Sequence, residues 1–186
     1  AVFTTLGASV KEVDLRHTKD ALETYYVLCP SEVSSNLGRY DGIRFGNTRD
    51  AFGIEARRRI MIGTYALSAG YYDAYYNTAK KVRSIVCQEF AKAFDSVDVV
   101  FAPVSPSPAS LIGELVDDPM ALYLSDIYTV PVNLTGLPAL SLQAGFVGKL
   151  PVGIQIIGKQ WSEDRLYAIS AQYENKTEWY KKGPVL

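Results

Sequence analysis

The chain has 186 residues, 48% of them hydrophobic and 21% charged, which is ordinary for a globular protein. Its 19 basic and 20 acidic side chains give a formal net charge of −1, so composition provides no general attraction to nucleic acid or to a membrane surface. No stretch approaches the roughly 20 apolar residues that a membrane-spanning helix needs.

The first part of the chain is predicted to contain a strand, a helix and a loop. Alternating apolar side chains predict a short strand over residues 8–15. Thr18 is a candidate N-cap for a helix that runs through Leu28 and is stopped by Pro30. Four glycines within residues 38–53 predict a loop before the next helix.

The rest of the chain alternates predicted helices and strands. Helices are predicted over residues 54–67, 75–94 and 164–173, and strands over residues 97–102, 140–144 and 152–157. The strand over 97–102 is apolar and β-branched, which is typical of a strand covered on both faces. This alternation predicts an α/β fold in which a mixed β-sheet is flanked by helices. The even composition predicts a single domain over residues 1–186.

Few side chains in this sequence qualify as a nucleophile, a base or a metal ligand. Ser34 and Ser35 lack the glycine-rich turn that would expose a hydroxyl and offer backbone N–H donors, so a polar helix end is favoured. His17 is predicted to be a surface side chain, and as the single histidine it excludes a multi-histidine metal site. Cys29 and Cys87 form no CxxC pair, which indicates reduced thiols and a cytoplasmic protein. The missing nucleophile indicates that the chain holds a substrate for chemistry done by residues outside it.

The most informative stretch runs from Phe52 to Arg83 and joins an arginine cluster to a group of tyrosines. Successive helical residues point about 100° apart, so Arg57, Arg58 and Arg59 cannot all serve one surface. An arginine that points inward needs a carboxylate, which is either an internal ion-pair partner or a ligand held by a bidentate clamp. The tyrosines at positions 71, 72, 75 and 76 favour aromatic packing over base stacking, because no basic surplus accompanies them.

Asp126 is the other unusual charge, because it is an acid within a largely apolar stretch. Its spacing alone favours a carboxylate at a helix end over a ligand for an ammonium group. Both interpretations remain open from the residues themselves.

Four segments of the chain resemble a known family: residues 25–46, 52–83, 117–142 and 151–158. They are similar to the amidase signature family, and specifically to its branch of glutaminase subunits from tRNA-dependent amidotransferases. The resemblance extends over about residues 7–173 and implies the C-terminal portion of an amidase signature domain. It also implies a longer polar segment between Gly46 and Phe52 than the five residues NTRDA present here.

The resemblance implies a reaction in which glutamine releases ammonia for the conversion of a glutamyl-tRNA to glutaminyl-tRNA. It implies amidotransferase subunits B and C as partners and tRNA reached through their complex. ATP and Mg are expected on a partner subunit, and no cofactor is expected in this chain. The glutamine-binding residues of the family fall on Tyr25, Arg59 and Asp126. Arg59 would bind the α-carboxylate, Asp126 the α-ammonium, and Tyr25 would donate a hydrogen bond from its hydroxyl.

The catalytic residues implied by the resemblance, a lysine and two serines, lie upstream of the matched segments, the serines in a glycine- and serine-rich stretch. This sequence contains no such stretch, so the chain alone is expected to be inactive. Two alternatives remain from the sequence. The chain is part of a stand-alone amidase that acts on another amide, or it is a non-catalytic binding or interaction module.

Overall fold

The structure is a computed structural model that describes residues 2–114 and 118–183. In chain order the described α-helices are α1 (Val2–Thr5), α2 (Ala21–Leu37), α3 (Ile54–Ala66), α4 (Thr78–Ala93), α5 (Pro119–Leu124), α6 (Val130–Thr135) and α7 (Glu163–Thr177). The described strands are β1 (Val99–Pro103), β2 (Ala139–Val147) and β3 (Leu150–Gly158). Two compact units are present, one within residues 1–22 and 86–186 and the other within residues 23–85.

The first unit is built on a three-stranded sheet with β3 in the centre. β3 pairs antiparallel with β1 on one side and with β2 on the other. β2 and β3 form a hairpin whose turn contains Gly148 at φ +61°, a left-handed conformation that glycine adopts without strain. The two strands predicted over 140–144 and 152–157 are confirmed, and both are longer than predicted because the hairpin pairing continues to the turn.

Helices cover both faces of this sheet. Ile157 packs with Val86 and Phe90 of α4 and with Phe94, the residue that follows this helix. Ile156, the next residue back along β3, packs with Leu166 of α7 on the opposite face, because neighbouring strand residues point to opposite sides. The predicted α/β class is therefore confirmed. The pairings among the described strands are antiparallel.

The strand predicted over residues 8–15 is wrong, because these residues have irregular backbone structure. Val13 and Leu15 pack against the core cluster of α4, whereas Val10 remains 78% exposed. The apolar spacing that predicted a strand is thus explained by an irregular segment whose apolar side chains contact a helix core.

The helix predicted to end at Pro30 is also wrong at both of its ends. Thr18 lies in a 3₁₀ turn over Arg16–Asp20, and its Oγ1 donates to the carbonyl of Leu15 at 2.7 Å instead of capping a helix. α2 begins at Ala21 and continues through Pro30 to Leu37. Pro30 is completely buried, and this packing outweighs the cost of the missing N–H, about 3 kcal/mol in an exposed helix.

The second unit brings α3 very close to α2. A Cβ atom placed on Gly63 would lie 1.9 Å from the carbonyl oxygen of Pro30, so only glycine fits at this crossing. The helices predicted over 54–67 and 75–94 are confirmed, the second as a π-helical turn over Asp73–Asn77 followed by α4. The loop predicted over 38–53 is confirmed and includes one short 3₁₀ segment, Arg49–Ala51. Within the described residues, no helix combines the length and apolarity that crossing a membrane demands.

We expect Gly63→Ala to lower the free energy of unfolding by about 1–3 kcal/mol, because α2 and α3 must separate to admit the methyl group. Gly53→Ala is the matched control, since a Cβ there meets no atom within 4 Å. Gly53→Ala removes a favourable N-cap residue but also reduces the entropy of the unfolded chain. The two effects oppose each other, so the free energy of unfolding should change by less than about 1 kcal/mol. Chemical denaturation of both variants measures the difference, and equal stabilities would contradict the close contact.

Candidate functional site

Arg59 is held in the second unit by contacts to α3 and α2. Its Nε donates to Oε1 of Glu55 at 2.9 Å, one helical turn earlier. Its guanidinium carbon lies 5.2 Å from the centre of the Tyr26 ring, within the range of a cation–π interaction. Only 26% of the Arg59 side chain is exposed. A half-buried cation with two fixed neighbours is a suitable anchor for a small anionic group.

Of the three consecutive arginines, Arg58 and Arg59 bind a carboxylate of the same helix, whereas Arg57 is exposed to solvent. Arg58 also binds Glu55, with Nη1 at 2.5 Å from Oε2, so one carboxylate holds two guanidinium groups. Arg57 is exposed on another side of α3. The predicted need for a carboxylate partner is thus met by Glu55, which lies in the first turn of α3, where the helix dipole also stabilises a negative charge.

Tyr25 and Tyr26 extend this environment on α2. Their rings meet edge to face at 5.3 Å between centroids. Burial tends to lower the pKa of Arg59, but the hydrogen bond to Glu55 and electrostatic attraction to Tyr26, Glu55 and Tyr25 raise the pKa overall. Arg59 is therefore charged at every working pH, and Tyr25 lies within electrostatic range of it. These are two of the three residues predicted to bind glutamine.

Asp126, the third predicted residue, lies in the other compact unit. It occupies the turn over residues 125–129, between α5 and α6, and is half-buried. Its backbone carbonyl accepts N–H groups from Thr129 and Val130, each at 3.0 Å, and the Thr129 hydroxyl at 3.1 Å. The turn is therefore well defined by its own hydrogen bonds. That Tyr25, Arg59 and Asp126 bind one ligand together stays a prediction.

Sequence reasoning missed Glu55 and Tyr26, which hold Arg59. The signal for Glu55 was present, because Glu55 and Arg59 have the i, i+4 spacing that pairs charges on a helix. Tyr26 had no such signal, since its contact with Arg59 depends on how α2 meets α3.

The remaining sequence candidates have ordinary structural surroundings. Ser34 lies within α2, where its hydroxyl donates to the carbonyl of Ser31 at 2.9 Å. The Glu89 carboxylate accepts the backbone N–H of His17 at 3.0 Å and contacts the Nδ1 of His17 at 2.6 Å, which joins the 3₁₀ turn to α4. Cys29 and Cys87 are free thiols, each half-buried.

The arginine-tyrosine-aspartate-glycine run at residues 39–42 forms a tight turn. Oδ1 of Asp41 accepts the backbone N–H groups of Ile43 at 2.8 Å and Arg44 at 2.9 Å. These hydrogen bonds lower the pKa of Asp41 below its usual value. Gly42 has φ +72°, which a residue with a side chain rarely adopts. The motif therefore has a local structural explanation for its aspartate and its glycine.

The tyrosines at positions 71, 72, 75 and 76 have the predicted aromatic packing, and Tyr65 of α3 joins them. The distance between ring centroids is 4.3 Å for Tyr65 and Tyr71, 6.0 Å for Tyr71 and Tyr75, and 5.1 Å for Tyr72 and Tyr76. A separate open cavity of about 340 Å³ lies in the same unit and is lined by Ser31, Glu32, Ser35, Asn36, Leu67, Tyr72 and Tyr76. Tyr25 and Arg59 do not line this cavity, so the aromatic cluster and the arginine are distinct features.

Known proteins match nearly the whole chain. A family model described as Amidase matches residues 1–167. The A subunit of the glutamyl-tRNA(Gln) amidotransferase of Nitrosococcus oceani is 51% identical over 98% of this chain. The protein of the same name from Geobacillus kaustophilus is 47% identical over 100% of the chain. The chain spans 41% of the length of each of these curated relatives.

Solved structures show the same relationship. The crystal structure of the glutamyl-tRNA(Gln) amidotransferase A subunit from Thermotoga maritima matches with a TM-score of 0.73 and 43% identity, over 94% of this chain and 36% of that one. A 6-aminohexanoate cyclic dimer hydrolase matches with a TM-score of 0.78 over 98% of this chain and 40% of that one. Its identity is 22%, which shows a shared fold alone.

The tyrosine cluster has a testable titration. A hydrogen bond with Tyr71, together with desolvation and the nearby Tyr71 and Tyr75 phenols, raises the pKa of Tyr65 from 10.0 to about 12. A raised folded-state pKa favours the neutral phenol, so this contribution to stability is complete below pH 10 and is lost as the pH rises through 12. We expect Tyr71→Phe to return the pKa of Tyr65 towards 10, measured by NMR titration of the ring carbons. Tyr72→Phe, which changes the other tyrosine pair, should leave it at about 12. A Tyr65 pKa near 10 in the unchanged protein would contradict the hydrogen bond.

Proposed function

The chain belongs to the amidase family, and we propose that it forms the glutamine-binding part of the glutaminase subunit of a tRNA-dependent amidotransferase. In this proposal the complete enzyme releases ammonia from glutamine and uses it to convert Glu-tRNA(Gln) to Gln-tRNA(Gln). Subunits B and C are the protein partners, tRNA is bound through the complex, and ATP and Mg act on a partner subunit. The names and identities of the relatives support this function over that of a stand-alone amidase, since the hydrolase shares only the fold.

The observation that carries the proposal is the environment of Arg59. A planar guanidinium with five N–H donors matches a carboxylate better than an ammonium does. Glu55 binds its Nε and the Tyr26 ring lies against its face, so the group is oriented before a ligand arrives. Pre-orientation lowers the entropy cost of binding. We assign Arg59 to the α-carboxylate of glutamine.

The other two residues complete recognition of a free amino acid. Asp126 would pair with the α-ammonium group, and the Tyr25 hydroxyl would donate a hydrogen bond to the ligand. Opposite charges at the two ends select a zwitterion and fix the direction of its side-chain amide. The catalytic serines and lysine, which are expected outside residues 1–186, would then release ammonia from that amide.

We expect residues 1–186 alone to release no ammonia from glutamine, because no side chain in them is placed as the nucleophile in this proposal. Ammonia production is measured against a blank without protein, after circular dichroism has shown that the chain is folded. Turnover above the blank would contradict the assignment of the catalytic groups to other polypeptide, and it would leave the assignment of Arg59 to be judged separately.

In a complete subunit that carries these residues, we expect Arg59→Lys to raise the KM for glutamine about 10- to 100-fold. A charge-assisted hydrogen bond contributes about 1.5–3 kcal/mol, and lysine cannot reproduce the bidentate geometry. Arg57→Lys is the matched control, since Arg57 is the exposed neighbour on the same helix, and its KM should change less than about twofold. A KM that Arg59→Lys leaves unchanged removes Arg59 from the glutamine site.

A further inference from the structure

Gln155 is a polar side chain in the middle of the central strand. It is only 4% exposed and lies opposite Ala102 of β1 and Ser141 of β2. Strand residues two apart point to the same side, so Gln155 shares a face with Ile157, which packs in the core cluster that contains Val132 of α6. The amide therefore lies on the α6 side of the sheet, among apolar neighbours.

Both polar contacts of this side chain go to backbone carbonyls. Nε2 donates to the carbonyl of Pro103 at 2.9 Å, at the end of β1, and to the carbonyl of Tyr128 at 2.7 Å, in the turn before α6. A glutamine amide carries two N–H donors, so one nitrogen matches two acceptors from different segments. A buried carbonyl without a donor costs about 1–3 kcal/mol. Gln155 thus ties the turn to the sheet.

The turn that Gln155 binds is the one that carries Asp126. Tyr128 lies two residues after Asp126, and the Asp126 carbonyl accepts the N–H groups of Thr129 and Val130. The internal hydrogen bonds set the shape of the turn, whereas the bond from Gln155 fixes its position relative to the strands. A small displacement of a charged group from its ligand can cost a large factor in rate.

We propose that Gln155 is a positioning residue that places Asp126 to recognise an α-ammonium group, and so sets the preference of the site for amino acids over ligands lacking that group. This inference rests on the proposed function of Asp126. Gln155 is expected to affect recognition of the α-ammonium end of the ligand, because Gln155 contacts the turn that carries Asp126.

The test compares glutamine with glutaramate, which keeps the carboxylate and the amide and lacks the α-ammonium. The complete subunit is assayed with both compounds, and the ratio of their kcat/KM values is the preference. We expect Gln155→Met, which keeps the length and removes both donors, to lower the preference about 5- to 10-fold, as the loss of one or two hydrogen bonds implies. The kcat/KM for glutaramate itself should change less than about twofold. A purely structural defect would lower both values together and would overturn the proposal.

Three further variants make the outcome decisive. Gln143→Met, a half-buried glutamine on β2, should leave the preference unchanged. Asp126→Asn should lower the preference, and adding Gln155→Met to it should lower it no further. If Asp126→Asn has no effect, the proposed role of Asp126 is wrong and the inference fails with it. If only Gln155→Met has no effect, the inference fails and the proposed function stands.

Amide hydrogen exchange tests the positioning step without any ligand. The N–H groups of Thr129 and Val130, which donate to Asp126, should exchange about 10-fold faster in Gln155→Met than in the unchanged protein. Gln155→Glu, which replaces the donor by an acceptor of the same size, should have the same effect. Unchanged exchange in both variants overturns the proposal, and so does global unfolding of both, because Gln155 would then act on stability in general.

Discussion

The close approach of α2 and α3 is the constraint on which the arginine environment depends. Gly63 lies one helical turn after Arg59 on α3, and Pro30 lies one turn after Tyr26 on α2. Residues four apart share a helix face. The contact of Arg59 with Tyr26 and the contact of Gly63 with Pro30 therefore lie one helical turn apart along the same interface between α2 and α3. The crossing has room for a hydrogen atom at Gly63 and for nothing larger. The distance between the backbones at that level sets how near the Arg59 guanidinium can come to the Tyr26 ring.

The sheet provides a comparable constraint for the second charge. β3 is hydrogen-bonded to β1 on one edge and to β2 on the other. One face is covered by the core cluster that contains Ile157 and the other by the cluster that contains Ile156, so β3 is the most enclosed strand described. A polar group on such a strand is costly unless it is hydrogen-bonded. The amide of Gln155 meets this requirement through Pro103 and Tyr128. Its burial therefore makes the position of the turn before α6 depend on the central strand of the sheet.

Local sequence patterns predicted the elements whose partners are close in sequence. The strands β2 and β3 and the helix that contains α4 followed from periodicity, and the i, i+4 pairing of Glu55 with Arg59 could have been found in the same way. The errors arose where distant packing outweighs local preference. Pro30 stops a helix in isolation, but in this protein it is buried at the contact with Gly63. Val13 and Leu15 have strand-like spacing, yet they contact the α4 core from irregular backbone. The contacts of Gln155 had no signal in the sequence, since its two acceptors lie 52 and 27 residues away along the chain.

The electrostatics of α3 explain why more than one arginine is useful there. A single arginine paired with Glu55 would form a neutral pair with little attraction for an anionic group. Glu55 instead shares its two oxygens between Arg58 and Arg59, so the cluster of three side chains keeps one net positive charge. The carboxylate orients both guanidinium groups without neutralising them. Because Arg59 is the less exposed of the two, water screens its field less, and a ligand carboxylate is attracted more strongly there than at Arg58.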